Sequence, residues 1–141
     1  MNLSAFLAEN ALKSENVKYV ASHRFVEDGK PVEWEIGCID SATDEALRKD
    51  CTSRVPVPGK RGQFTQETDI NQYLGKMAAM CTVYPNLNDA ALQDSYKVNG
   101  ADALLKKMLL PGEYSDYLNK VQEVNGYTIS MDELVEEAKN S

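Results

Sequence analysis

The sequence predicts an α+β fold in which an N-terminal antiparallel β-hairpin or small sheet packs on a C-terminal multi-helix unit. Three observations predict it. Asp28-Gly29 lies between two runs of alternating apolar and polar residues, the mark of a two-residue hairpin loop whose central residues need positive φ. Ile70, Tyr73, Leu74, Met77, Met80, Cys81 and Tyr84 step by three and four, which places them on one helix face. Beyond Pro85, apolar stripes at helical spacing recur to the C-terminus, separated by capping residues and glycines. Residues 1–141 read as a single domain, long enough for a real core, with a sheet-containing part (1–68) and a helical part (69–141) that share it.

In chain order, Leu3, Phe6, Leu7 and Leu12 are near helical spacing, so residues 3–12 are expected to form a short helix docked on the body. The alternative is a mobile arm that orders on a partner. The hairpin follows. With Asp28-Gly29 as its loop, Glu27 faces Lys30, Phe25 pairs with Val32, His23 with Trp34, Ala21 with Ile36, and Tyr19 with Cys38. All of these from Phe25 outward share the apolar face, and Arg24 meets Glu33 across the other. His23, the sole histidine, is then packed beside the Trp34 indole, with no partners for catalysis or metal binding.

Ser41 is expected to open a helix reaching about Thr52, with Asp44 as its capping-box partner. Residues 54–69 then read as a short edge strand with two prolines and a loop returning through Phe64. Arg54, Lys60 and Arg61 make this the one locally basic patch, either a solvated turn or a contact for an acidic partner surface. The central helix spans 70–84, capped by Thr68 or Asp69 and stopped by Pro85. Asn88 caps a short helix ended by Asn99-Gly100, residues 101–110 form another, and Pro111 starts a third that stops at Gly126. Ser130 and Glu133 form a capping box for a last helix, 131–139, whose outer face carries Asp132, Glu133, Glu136 and Glu137. That face is either solvated or an interaction tail.

Composition narrows the function classes. The formal net charge of -7 disfavours nucleic acid, which wants a basic footprint, and the excess lies in the C-terminal half. Residues 69–141 hold six basic and eleven acidic side chains, against nine and eleven in residues 1–68. Cys38, Cys51 and Cys81 are odd in number and far apart, which points to buried free thiols in a reducing cytoplasm rather than disulfides or a zinc site. No apolar run is long enough to span a bilayer, and the N-terminus lacks the pattern of a secretory signal. No nucleophile triad, dinucleotide fingerprint, phosphate loop, EF-hand or HExxH is present. The residues therefore indicate no catalytic, cofactor or metal site.

The segments NLSAFLAENAL (2–12), DGKPVEWEI (28–36), RVPVPGKRGQFTQETD (54–69) and YLGKMAAMCTVYPNLNDAALQDSYKVNGADALLKKML (73–109) resemble those of the XkdN-like tail assembly chaperones of phages and prophages of Gram-positive bacteria. PGEYSDYLNKVQEVNGY (111–127) and MDELVEEAKNS (131–141) extend the likeness over nearly the full length. The resemblance implies a non-enzymatic helper of long-tail morphogenesis that binds the tape measure protein and recruits tail tube protein around it. It implies action in the host cytoplasm and absence from the mature virion, with self-association open. It also implies that a chain ending at Ser141 is the shorter of two products where a frameshift occurs. A structural tail protein retained in the virion and a small prophage regulatory adaptor are the alternatives. Tyr84, Tyr96, Tyr114, Tyr117 and Tyr127 on the C-terminal helices are candidate partner contacts, since tyrosine favours interfaces. Foremost are Tyr114, Tyr117 and Tyr96, together with Arg54, Lys60 and Arg61.

Overall fold

The fold is α+β, as the sequence predicts, and a computed structural model describes residues 2–128. In chain order it contains a 3-10 turn (Ser4–Phe6), β1 (Val17–Tyr19), β2 (Val26–Glu27), β3 (Lys30–Pro31), β4 (Trp34–Ile36), α1 (Ser41–Asp50), β5 (Thr52–Pro56) and β6 (Phe64–Thr68). Then come α2 (Ile70–Cys81), β7 (Thr82–Tyr84), α3 (Ala90–Ser95), α4 (Ala101–Met108) and α5 (Pro111–Val124). The predicted helix at 131–139 lies outside the described residues.

The helix α2 is the hub, packed by α1, α4 and α5. Asp69 caps it, accepting from the Gln72 amide at 3.0 Å. Tyr73, Leu74, Gly75, Met77, Ala78, Ala79 and Cys81 are all buried, a broader face than the predicted stripe. Met80, placed on that stripe by spacing alone, is 49% exposed. The reason is that neighbours flank α2 on several sides, so its small residues Gly75, Ala78 and Ala79 face close packing while the longer Met80 points out.

The predicted helix 70–84 ends early. Thr82–Tyr84 instead becomes β7, the outer strand of an antiparallel sheet ordered β1-β4-β7. Thr82, Val83 and Tyr84 are β-branched and aromatic, and the free edge of β4 offers them a ladder. The Thr82 hydroxyl closes the helix by donating to the Ala78 carbonyl at 2.7 Å. Gly37 permits the approach: a Cβ there would come within 3.1 Å of Val83 Cγ2 and 3.0 Å of Asn16 Oδ1.

The hairpin tip is as predicted, with Glu27 opposite Lys30 and both Asp28 (φ 52) and Gly29 (φ 76) in left-handed space. The Val32 amide bonds the Phe25 carbonyl at 2.8 Å. Below this the predicted ladder fails. β1 pairs with β4 as Tyr19↔Trp34 and Val17↔Ile36, four residues out of the register set by the tip. Residues 20–25 leave the strand path as an irregular loop. Because four is even, the same faces still meet, so Trp34 and Ile36 point inward as expected. His23 is displaced by this loop to an exposed position rather than beside the indole. Arg24 donates to the Met108 carbonyl at 3.0 Å instead of meeting Glu33.

Three smaller expectations are corrected. Asp40, not Ser41, caps α1, accepting from the Thr43 amide at 2.7 Å, and α1 ends at Asp50. Asp89, not Asn88, caps α3, and Lys97 in left-handed space ends that turn before Asn99-Gly100. Cys38 is exposed, whereas Cys51 and Cys81 are buried, and all three are free.

Trp34 and Ile36 of the sheet join Tyr73, Leu74, Met77, Leu104, Leu105, Tyr117 and Val121 in one core cluster. The Trp34 and Tyr117 rings meet edge-on at 5.3 Å, and Tyr19 lies 6.0 Å from Tyr117.

A candidate partner-binding surface

The buried titratable groups are held neutral. Burial pushes the Cys81 thiol up to about 11, and its neighbour Asn125 donates to the sulfur at 3.4 Å. Burial likewise raises Cys51, so neither thiol is the low-pKa thiolate that nucleophilic chemistry needs. The Tyr73 hydroxyl is raised by burial and by donating to Asp44, and Arg48 Nη2 donates to it at 3.3 Å. Among the described residues no three His, Cys, Asp or Glu side chains converge on a point that could hold a metal. What the surface offers is contact.

The candidate tyrosines fall in different places. Tyr117 is 0% exposed, and its hydroxyl shares a 2.6 Å hydrogen bond with Thr82. In this conformation it presents no surface to a partner. Tyr114 is half-buried against the core, and its hydroxyl is buried without a hydrogen-bond partner. Tyr96 and Tyr127 are half-buried on the core margin, and Tyr84, at 50%, is the exposed one. Periodicity put Tyr114 and Tyr117 on one stripe, but spacing does not say which face of α5 the sheet covers.

The basic residues do come together. β5 and β6 form an isolated two-stranded ribbon with Thr52 opposite Thr68, Arg54 opposite Gln66, and Pro56 opposite Phe64. These six side chains share one face, because cross-strand partners do. The Arg54 guanidinium lies over the exposed Phe64 ring at 4.1 Å. Lys60 and Arg61 sit in the exposed loop at the ribbon tip. At the other end the same face continues into a groove of about 260 Å³ lined by Glu45, Arg48, Lys49, Thr52, Gln66 and Thr68. Arg48 and Lys49 were not among the predicted site residues. Their signal is present in retrospect, as two bases in the last turn of a helix that runs straight into the ribbon.

A second surface is apolar. Residues 2–16 form an arm whose 3-10 turn buries nothing, with Phe6 79% and Leu12 99% exposed and Leu3 and Leu7 exposed beside them. The docked helix expected here is therefore overturned. Three helical residues and an internal cap, the Asn10 side chain on the Ser4 carbonyl at 2.8 Å, hold a local turn that buries none of its side chains.

The sequence profile of the phage XkdN-like tail assembly chaperone protein family matches residues 3–139. The chain is 33% identical over 141 residues to an uncharacterized protein of Bacillus subtilis (strain 168), YqbN, covering 99% of this chain and 93% of that protein. It is 30% identical over 141 residues to the phage-like element PBSX protein XkdN of the same strain, covering 99% and 94%. The crystal structure of YqbN superposes with a TM-score of 0.78 at 28% identity, covering 90% of this chain and 98% of that one.

Proposed function

The chain belongs to the phage XkdN-like tail assembly chaperone family, and from that premise we propose that it keeps an apolar helical client soluble during tail assembly. The client in this reading is the tape measure protein, and tail tube protein is recruited to the complex. The work is done by binding in the host bacterial cytoplasm, without catalysis, and the protein leaves before the virion is complete.

The observation that supports this reading is the N-terminal arm. Leu3, Phe6, Leu7 and Leu12 are all exposed within ten residues. Soluble proteins seldom leave large apolar side chains grouped in water unless a partner covers them. Residues at spacings of three and four, as Leu3, Phe6 and Leu7 are, match the ridge by which one helix engages another. Arg54, Lys60 and Arg61 are a second contact in this proposal, suited to acidic stretches of a partner. Tyr96 and Tyr114 contribute only at their exposed edges, and Tyr117 only if α5 moves.

Co-expression with the neighbouring tape measure protein tests this directly. The wild-type chain should bring the client into the soluble fraction and elute with it. Phe6→Asp with Leu7→Asp should abolish co-elution and leave the thermal midpoint unchanged, because neither side chain supports the core. A client that stays insoluble with the wild-type chain rejects the role. A client rescued equally by the variant rejects the arm as the contact. Protein inventory of purified virions checks the release step, since a retained copy there contradicts it.

A further inference from the structure

The β5–β6 ribbon leaves one strand edge bare and sets it beside a row of bases. The Asp69 amide bonds the Cys51 carbonyl at 2.8 Å, and the Val57 amide bonds the Gln63 carbonyl at 3.0 Å. Bonded pairs alternate along an antiparallel ladder, so Ser53 and Glu67 form one, Val55 and Thr65 another, and the pairs between them are unbonded. The 2.7 Å approach of the Thr52 and Thr68 hydroxyls is the close side-chain contact of an unbonded pair. The N–H and C=O groups of Phe64, Gln66 and Thr68 therefore point away from β5, and among the described residues no strand lies beyond β6. Pro56 blunts the edge of β5, whereas β6 has no proline, lysine or bulge to guard its own.

The charges beside that edge have an order. A strand laid along β6 sets every second side chain, those opposite Phe64, Gln66 and Thr68, on the face that carries Arg54. The Arg54 guanidinium is drawn from β5 onto β6, where it lies over the Phe64 ring at 4.1 Å. Arg48 and Lys49 line the groove together with Gln66 and Thr68, and Glu45 is its one carboxylate. The intervening side chains of such a strand fall on the opposite face, which carries Glu67. Acids are thus favoured at one parity and repelled at the other.

We propose that β6 takes up an extended segment of a partner protein as a third strand, with carboxylates at alternate positions and neutral residues between them. The carboxylates meet Arg54, Arg48 and Lys49, and Lys60 and Arg61 in the exposed tip loop attract acids beyond the ladder. Main-chain bonds to Phe64, Gln66 and Thr68 hold the segment, and the alternating acids select it. A two-stranded ribbon is marginal in water, and of its ten residues only Thr52, Val55 and Thr68 are even half-buried, so a third strand also steadies what it binds. The inference rests on reading this basic face as a partner contact, and it is independent of the arm and of client rescue.

Titration of the full chain with two capped, dye-labelled peptides tests it, each built of three glutamates and four threonines. In one the glutamates alternate with threonine; in the other they are contiguous, so at least one falls on the face of Glu67. Fluorescence anisotropy should show the alternating peptide binding about fivefold more tightly, the scale of one exposed ion pair exchanged for one like-charge contact. Lys49→Ala with Arg54→Ala should erase that preference, with α2 amides as the control for an intact fold. On binding, hydrogen exchange should slow more at Phe64, Gln66 and Thr68 than at Thr65 and Glu67, which β5 already bonds. Equal binding of the two peptides, binding of neither, or binding that leaves those three amides exchanging freely overturns the proposal. Amides at 64, 66 and 68 that are slow in the free chain and released on dilution also overturn it, since a second copy would then hold the edge.

Discussion

Tyr114 and Gly75 show how one residue pair sets the spacing of two helices. The Tyr114 hydroxyl sits 2.7 Å from where a Cβ on Gly75 would be, and it is buried without a partner. A buried hydroxyl with no hydrogen bond costs about 1–3 kcal/mol in lost hydration, so Tyr114→Phe should be neutral or stabilise the fold by about 1 kcal/mol. Gly75→Ala alone trades better helix propensity against displacement of that hydroxyl. Combined with Tyr114→Phe, which removes the opposing atom, it should be more stable than the two single changes predict. Urea unfolding of the four proteins measures this coupling, and strict additivity would mean the ring has room to move. Tyr117, one turn along the same helix, answers to the opposite rule: its buried hydroxyl is bonded to Thr82, whose own proton goes to the Ala78 carbonyl, so Tyr117→Phe gives up a hydrogen bond that the fold makes.

At the scale of elements, the turn read from sequence held, while the cap readings held at α2, where Asp69 was one of two candidates, and missed by one residue at α1 and α3. Asp28-Gly29 forms the predicted turn because left-handed backbone selects those residues wherever the chain goes afterwards. Asp69 caps α2 for the same reason, and Asp69→Ala should cost about 1 kcal/mol by thermal or chemical denaturation. Ser41→Ala should cost far less, since Asp40 holds the α1 cap; a larger loss for Ser41 would reverse that assignment. The ladder below the turn was out of reach. Residues 20–25 alternate well enough to extend a strand, but Ala21 and Ser22 are buried and Arg24 reaches Met108, so the chain detours to meet α4 and α5. Likewise Thr82–Tyr84 kept helical spacing with the residues before them and were taken by the free edge of β4.

For the whole molecule, one core joins the sheet to the helices, and its titratable members set the response to pH. Cys81 has an ordinary value of 9.0 and is raised to about 11 by burial. A group whose pKa is higher folded than unfolded stabilises fully below the unfolded value and loses that contribution as pH rises through the folded one. Stability should therefore decline between about pH 9 and pH 11, and Cys81→Ala should flatten that part of the profile. Tyr73 and Tyr117, also raised by burial, add to the decline at higher pH. On the acid side Asp40 is lowered by hydrogen bonds from the Thr43 side chain and then its amide, and Glu113 by the Leu110 amide. Their contribution is present at neutral pH and is lost as pH falls through their depressed values. An alkaline profile identical in wild type and Cys81→Ala would show that the thiol is not buried as described.

The sequence by itself determined the fold class, the hairpin turn, the start of helix α2, the first strand of the ribbon with its three bases, and the family to which the chain belongs. Each of these rests on neighbours within a few residues or on resemblance along the whole chain. Only the tertiary structure decided which side of each stripe is covered. It sank Tyr117, exposed Met80, Cys38 and the arm, moved the β1–β4 register, and joined Arg48 and Lys49 to the ribbon's basic face. The physical reason is that periodicity defines a face without naming its neighbour. Burial comes from contacts between residues far apart in sequence, and those exist only once the sheet and helices have packed.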